Sequence, residues 1–147
     1  MSINELDAPL KPITEGDERL TGLIMPSKSV QLMSPREGIV AKIDVEEDTS
    51  VKEGDRLAQM DDALQVVAVE AARLEVERSK AVLEEAKLQV DQIERLFAKG
   101  ATTDHEVRQR KLTQLGSEID LDRSKAAHDL EKLRLDTQFK LKAPFDG

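Results

Sequence analysis

The sequence has no cysteine, no tryptophan and no tyrosine, and its only aromatic residues are three phenylalanines. Without cysteine there can be no disulfides, thiolate metal ligands or cysteine nucleophiles, although the compartment stays open because many exported proteins also lack the residue. Aromatics at 2% beside 39% apolar residues argue against a large globular core in a chain of 147 residues. An excess of positive charge is missing too: 30 acidic residues stand against 22 basic ones, for a net charge of −8. That balance disfavours nucleic acid, anionic membrane surfaces and phosphate ligands. No apolar run approaches the ~18 residues of a membrane-spanning helix. Residues 1–20 have neither the basic stretch nor the apolar stretch of an export signal, so no signal or anchor is visible. Gly-rich phosphate loops and nucleophile motifs are absent as well.

What the chain does have is helical periodicity. Residues 62–137 read as two long helices joined by the turn Gly100-Ala101-Thr102. Lys99 and Gly100 supply a cationic last turn and a residue able to enter the left-handed conformation that closes a helix. Thr103-Asp104-His105-Glu106 fits a capping box, with Thr103 accepting from the Glu106 N–H and the Glu106 carboxylate reaching back. At the other end Asp62-Ala63-Leu64-Gln65 places a capping acid before the periodic run. Arms of roughly 35 residues at ~1.5 Å each extend about 50 Å, so an elongated hairpin is expected.

The first arm carries a heptad series, Val69, Val76, Leu83, Val90 and Phe97, alternating with Ala72, Ser79, Ala86 and Ile93, a pattern suited to an antiparallel partner. The second arm answers with Leu112, Ile119, Ala126 and Leu133, plus Leu115 and Leu130, as the expected seam. A second stripe on the first arm, Val67, Leu74, Ala81 and Leu88, lies about 160° from the first. One partner helix cannot cover both, so this stripe is either packed against another part of the protein, scattered surface, or a contact between subunits.

Upstream, residues 1–20 contain Pro9, Pro12 and Gly16 without periodicity and read as an extended lead-in. Residues 21–61 switch to short apolar or alternating runs, Gly22–Met25, Val30–Met33, Ile39–Ile43 and Arg56–Met60, separated by Pro26, Pro35, Gly38 and Gly54. Four strands of a small β unit are expected. An internal repeat ties this unit to the end of the chain. Val30-Gln31-Leu32-Met33-Ser34-Pro35-Arg36-Glu37-Gly38 aligns without gaps with Phe139-Lys140-Leu141-Lys142-Ala143-Pro144-Phe145-Asp146-Gly147. The repeat flanks the hairpin, which implies a β module of two similar halves with the hairpin inserted between them and the second half, residues 138–147, only begun.

Gly38-Ile39-Val40-Ala41-Lys42-Ile43-Asp44-Val45, Val51-Lys52-Glu53-Gly54-Asp55-Arg56-Leu57 and Met60-Asp61 resemble the first half-motif of the biotinyl/lipoyl domain. Together with the hairpin and the closing Leu141-Lys142-Ala143-Pro144-Phe145-Asp146-Gly147, residues 22–147 resemble the membrane fusion proteins, the HlyD-type periplasmic adaptor subunits of bacterial efflux and secretion systems. The resemblance implies an α+β fold, an antiparallel coiled-coil hairpin inserted in a split lipoyl-like module. It also implies a periplasmic, membrane-associated adaptor that links an inner-membrane transporter to an outer component and works as a ring-forming homo-oligomer. Asp48 stands where the family usually has glycine, in a turn where a left-handed residue is costlier as Asp. The alternatives are a stand-alone cytoplasmic coiled-coil scaffold and a biotinyl/lipoyl carrier. A carrier presents its acceptor lysine between the halves, but here Met60-Asp61-Asp62-Ala63-Leu64 leads straight into a helix and the next lysine is Lys80.

No cofactor, metal or catalytic residue is expected. His105-Glu106 begins like a zinc-protease motif, but Gln109 occupies the place of the second histidine. His128 stands alone, and the pair Asp61 and Asp62 suits a helix start without any metal. Recognition through the hairpin tip remains, with Gln92, Leu96, Gly100, Ala101 and Thr103 as the candidate partner-binding residues. The tip apolars Leu96 and Phe97 either close the hairpin or meet a partner. Family adaptors that dock onto an outer-membrane channel often carry Arg, Leu and Ser where this chain has Gln92, Leu96 and Thr103. Leu is kept and Thr keeps the hydroxyl, whereas Gln lacks the charged fork of Arg.

Overall fold

The structure, a computed structural model, describes residues 21–147, so the expected lead-in at residues 1–20 lies outside the described residues. Residues 21–31 are exposed and form neither helix nor strand. Among the described residues, the regular elements lie in residues 32–147: strands β1 (Val40–Ile43) and β2 (Arg56–Met60), helices α1 (Ala63–Ala98) and α2 (Asp104–Gln138), and strand β3 (Lys140–Lys142).

The three strands make one antiparallel sheet in the order β1-β2-β3. Ile43 pairs with Ala58 on one side of β2, and Gln59 pairs with Lys140 on the other. The second copy of the repeat runs along the first half-module: the Val51 N–H donates to the Gly147 carbonyl at 2.8 Å and the Gly54 N–H to the Ala143 carbonyl at 2.8 Å. Of the four strands expected in residues 21–61, two form; the runs Gly22–Met25 and Val30–Met33 do not. The sheet is open, and every residue of β1 is exposed, which matches the expectation of an incomplete module with unpaired edges.

The link between β1 and β2 makes two tight turns. Asp48 takes φ +63°, the left-handed conformation the sequence implied, and Gly54 takes φ +87°. Asp44 pins the two strands across these turns, accepting from Arg56 Nε at 2.6 Å and meeting Lys42 Nζ at 3.0 Å.

The helices, of 36 and 35 residues, form an antiparallel hairpin. On α1 the heptad reading holds along the middle of the helix, where Val76, Ser79, Leu83, Ala86 and Val90 are buried against α2; Val69, Ala72 and Ile93 are half-buried, and Phe97, the last of the series, is exposed. On α2 the expected seam is wrong. Leu112, Leu115, Ile119, Ala126, Leu130 and Leu133 are all exposed, and the residues facing α1 are Val107, Ser117, Leu121 and Ser124. The buried series includes polar members at heptad spacing, so an apolar periodicity search passes over it. Ser117 and Ser124 are accommodated because their hydroxyls donate to the Thr113 and Leu121 carbonyls of their own helix, at 3.1 and 2.8 Å. Few large side chains are therefore buried between the arms; Val76, Leu83 and Leu121 form their core cluster. Each contributes about 1.5–3 kcal/mol.

The start of α1 also differs from expectation. Asp62 makes no capping hydrogen bond. Its carboxylate accepts from Gln59 Nε2 at 3.0 Å, and the first N–H of the helix, that of Ala63, is met by Asp61 Oδ1 at 3.1 Å. Gln65 does not reach back to Asp62; it is buried and donates across the hairpin to the Glu131 carbonyl at 2.9 Å and carboxylate at 2.7 Å. That link fastens the two arms near the β module.

Candidate functional site at the hairpin tip

The turn at the tip is a Schellman motif. The Ala101 N–H donates to the Leu96 carbonyl at 2.9 Å and the Gly100 N–H to the Phe97 carbonyl at 3.0 Å, with Gly100 at φ +71°. These bonds satisfy the last carbonyls of α1 and reverse the chain within a few residues. Thr103 then caps α2 as expected, accepting from the Glu106 N–H at 3.3 Å. The reciprocal half of the box is redirected, because the Glu106 carboxylate accepts the Thr102 hydroxyl.

Of the residues singled out in the sequence, Leu96, Gly100 and Ala101 are brought together by this turn, and Thr103 follows directly. Gln92 lies one helical turn below Leu96 on the same side of α1, about 6 Å along the axis. It is exposed, and its side chain makes no hydrogen bond among the described residues. Leu96 and Phe97 do not close the hairpin: they are 39% and 47% exposed, while Val90 and Val107 are buried beneath them. The tip thus presents two large apolar side chains to its surroundings. Three ion pairs surround it. Arg95 holds Asp91 at 2.6 Å and Arg108 holds Asp104 at 3.0 Å, while Lys111 meets Glu94 across the two arms at 2.7 Å. Arg95 is therefore engaged on its own helix and does not replace the arginine that Gln92 lacks.

At the base the chain passes from β2 into α1 through Asp61 and Asp62 with no lysine presented between them. An open cleft of about 360 Å³ lies there, lined by residues including Arg36, Met60, Leu64, Gln65 and Phe139. The Arg36 guanidinium stands 5.0 Å from the Phe139 ring centroid, so the two copies of the repeat touch at this point. The sequence signal for that contact was the repeat alone. Among the described residues, no group of three His, Cys, Asp or Glu side chains could hold a metal ion, and no helix is long and apolar enough to cross a membrane.

No protein-family model matches the chain. No curated protein matches it in sequence. Solved structures do match. The membrane fusion protein Spr0693 from Streptococcus pneumoniae R6 superposes with a TM-score of 0.62 at 15% identity, over 75% of this chain and 44% of that one. ZneB from Cupriavidus metallidurans matches with a TM-score of 0.52 at 16% identity, over 80% of this chain and 50% of its own. MacA from Actinobacillus actinomycetemcomitans matches with a TM-score of 0.50 at 20% identity, over 78% and 39%. The chain thus spans half or less of the length of each of these structures. With its hairpin standing between two pieces of a β module, it has the fold seen in a membrane fusion protein.

Proposed function

We propose that this chain is part of a periplasmic adaptor, associated with the membrane, that works in several copies and links an inner-membrane transporter to an outer component through its hairpin. The observation that carries the proposal is the hairpin itself: two helices of 36 and 35 residues, extending about 54 Å at ~1.5 Å per residue, inserted in a β module and ending in an apolar tip. An arm of that length and exposure spans distance and ends in a contact surface. The fold shared with Spr0693 supports the same reading. Leu96 and Ala101, with Gln92, Gly100 and Thr103 around them, are the contact residues we assign. Uncharged Gln92 leaves such a contact dependent on apolar packing and backbone groups rather than on a charged fork.

The test is photo-crosslinking in the cells that make the protein, with a photoreactive residue at Leu96 or Ala101. Adducts with a different protein of the cell envelope are the expected result. Adducts confined to cytoplasmic proteins would refute the adaptor reading and favour a scaffold.

A further inference from the structure

A cleft of about 320 Å³ opens between the arms midway along the hairpin, lined by Ser79 of α1 and by Ser117 and Ser124 of α2. Serines hold the seam at these positions, and such short side chains cannot fill the space between two helices as leucines do. All three are buried. Ser117 and Ser124 donate to carbonyls of their own helix, a common arrangement for a helical serine. Ser79, only 9% exposed, makes no side-chain hydrogen bond among the described residues. A hydroxyl this far buried without a partner is costly, and this one lines the cleft.

Four charges frame the same space: Glu75 and Arg78 on α1, Asp120 and Arg123 on α2. The cross-helix contacts Gln65 to Glu131, Gln89 to Arg110 and Lys111 to Glu94 fix which residues of the two arms share a level. On that scale Arg123 is level with Glu75 and Asp120 with Arg78, so the signs alternate around Ser79. These charges are poorly satisfied by one another. Asp120 and Arg123 make no ion pair among the described residues. Arg78 meets Glu75 only at 3.4 Å, whereas Arg73 with Glu70 and Lys87 with Glu84, on the same helix, close to 2.7 and 3.1 Å.

The lining selects among ligand classes. A plain anion meets the carboxylates of Glu75 and Asp120, and a plain cation meets the guanidinium groups of Arg78 and Arg123. An apolar body would cut four charges and a hydroxyl off from water without replacing it. A molecule with an ammonium and a carboxylate a few bonds apart answers both signs. Its carboxylate accepts forked hydrogen bonds from Arg123 and one from the Ser79 hydroxyl, and its ammonium donates to Asp120. At ~30 Å³ per water the cleft has the space of about ten waters, which suits a free amino acid or a dipeptide.

We propose that the mid-hairpin cleft binds a small zwitterion of the amino-acid or dipeptide class, with Arg123 and Ser79 on its carboxylate and Asp120 on its ammonium. The site lies away from the tip and does not depend on the adaptor reading.

The probe is alanylalanine, titrated into the isotopically labelled full chain and followed by amide chemical shifts. Saturable shifts centred on Ser79 and Ser124 are expected, with Kd in the millimolar range because the cleft is open. The dipeptide acetylated at its amino end, and the dipeptide amidated at its carboxyl end, should each bind about tenfold more weakly, since each loses a charge-assisted hydrogen bond. Arg123→Gln and Asp120→Asn should each weaken the free dipeptide by about the same factor. Arg123→Gln should then leave the affinity for the amidated dipeptide unchanged, and Asp120→Asn that for the acetylated one, because the partner group is already gone. Both positions are exposed, so helix content by circular dichroism should not change. Lys132→Gln, on an exposed residue outside the cleft, should bind as the natural protein does. Absence of saturable shifts, equal affinity for free and capped dipeptides, or binding that Arg123→Gln and Asp120→Asn leave intact would each overturn the proposal.

Discussion

Two substitutions two residues apart distinguish the observed seam from the one apolarity alone suggests. Leu121 is 8% exposed and joins Val76 and Leu83 in the core cluster, whereas Ile119 is 55% exposed on the opposite face. Replacing a buried leucine by alanine costs about 2–5 kcal/mol, and a two-layer hairpin that can partly collapse onto the gap belongs at the lower end, about 2–3 kcal/mol. Ile119→Ala loses little packing in a single hairpin and gains about 0.4 kcal/mol of helix propensity, so it should be neutral or slightly stabilising. At about 3–5 °C per kcal/mol for a chain between the 100- and 150-residue classes, Leu121→Ala should lower Tm by roughly 6–15 °C. The assay is thermal unfolding followed by circular dichroism at 222 nm, with the protein diluted until sedimentation shows a monomer. A cost below about 0.5 kcal/mol for Leu121→Ala, or equal costs for the two variants, would mean that α2 is turned differently from the arrangement described.

Further outcomes follow from the turns and charges. Gly100→Ala should destabilise the hairpin by about 1 kcal/mol in urea denaturation. An added Cβ meets nothing within 4 Å, so the whole cost is the left-handed φ of +71°. Asp48→Gly should raise the stability of the β module by up to about 1 kcal/mol, since Asp48 holds φ +63°; a lower Tm in this variant would show that the carboxylate contributes more than its strain costs. The hydrogen bond from Arg56, with help from Lys42, holds the Asp44 carboxyl below its usual range. A carboxylate lowered in the folded state contributes stability above its unfolded value of about 3.9 and loses it as pH falls through the folded one. Tm should therefore drop between about pH 5 and pH 3 less in Asp44→Asn than in the natural sequence; equal drops would remove the Asp44 pair as a cause.

Much of this architecture was legible because its signals are local. The Schellman turn needs a left-handed residue, and Gly100 supplies it; the start of α2 needs a hydroxyl acceptor, and Thr103 supplies it. The heptad series of α1 pointed to the seam because its large members recur at one position and its small ones at another. The repeat foretold that residues 139–147 return to the first half-module, where Ala143 and Gly147 now pair with Asp55 and Val51. Less was legible where a choice between neighbours decided the outcome. Asp61 and Asp62 are chemically equal candidates to cap α1, and the side chain of Gln59 engages Asp62 while Asp61 takes the cap. Of the tip residues, the sequence named Leu96 and left open which way it faced; it faces outward.

The sequence by itself determined two long helices, their turn, the split β module around them and the presence of more apolar surface than one hairpin can bury. Periodicity and turn chemistry are properties of consecutive residues, so no tertiary information was needed for these. Only the tertiary structure decided which face of α2 meets α1. The short turn at Gly100 and the cross-link from Gln65 to Glu131 fix the rotation of α2, bringing Val107, Ser117, Leu121 and Ser124 to the seam and leaving Leu112, Ile119 and Leu133 outside. A hydrophobic pattern says that a face is apolar. Which neighbour that face meets, the other arm or another copy, depends on how the helix is turned.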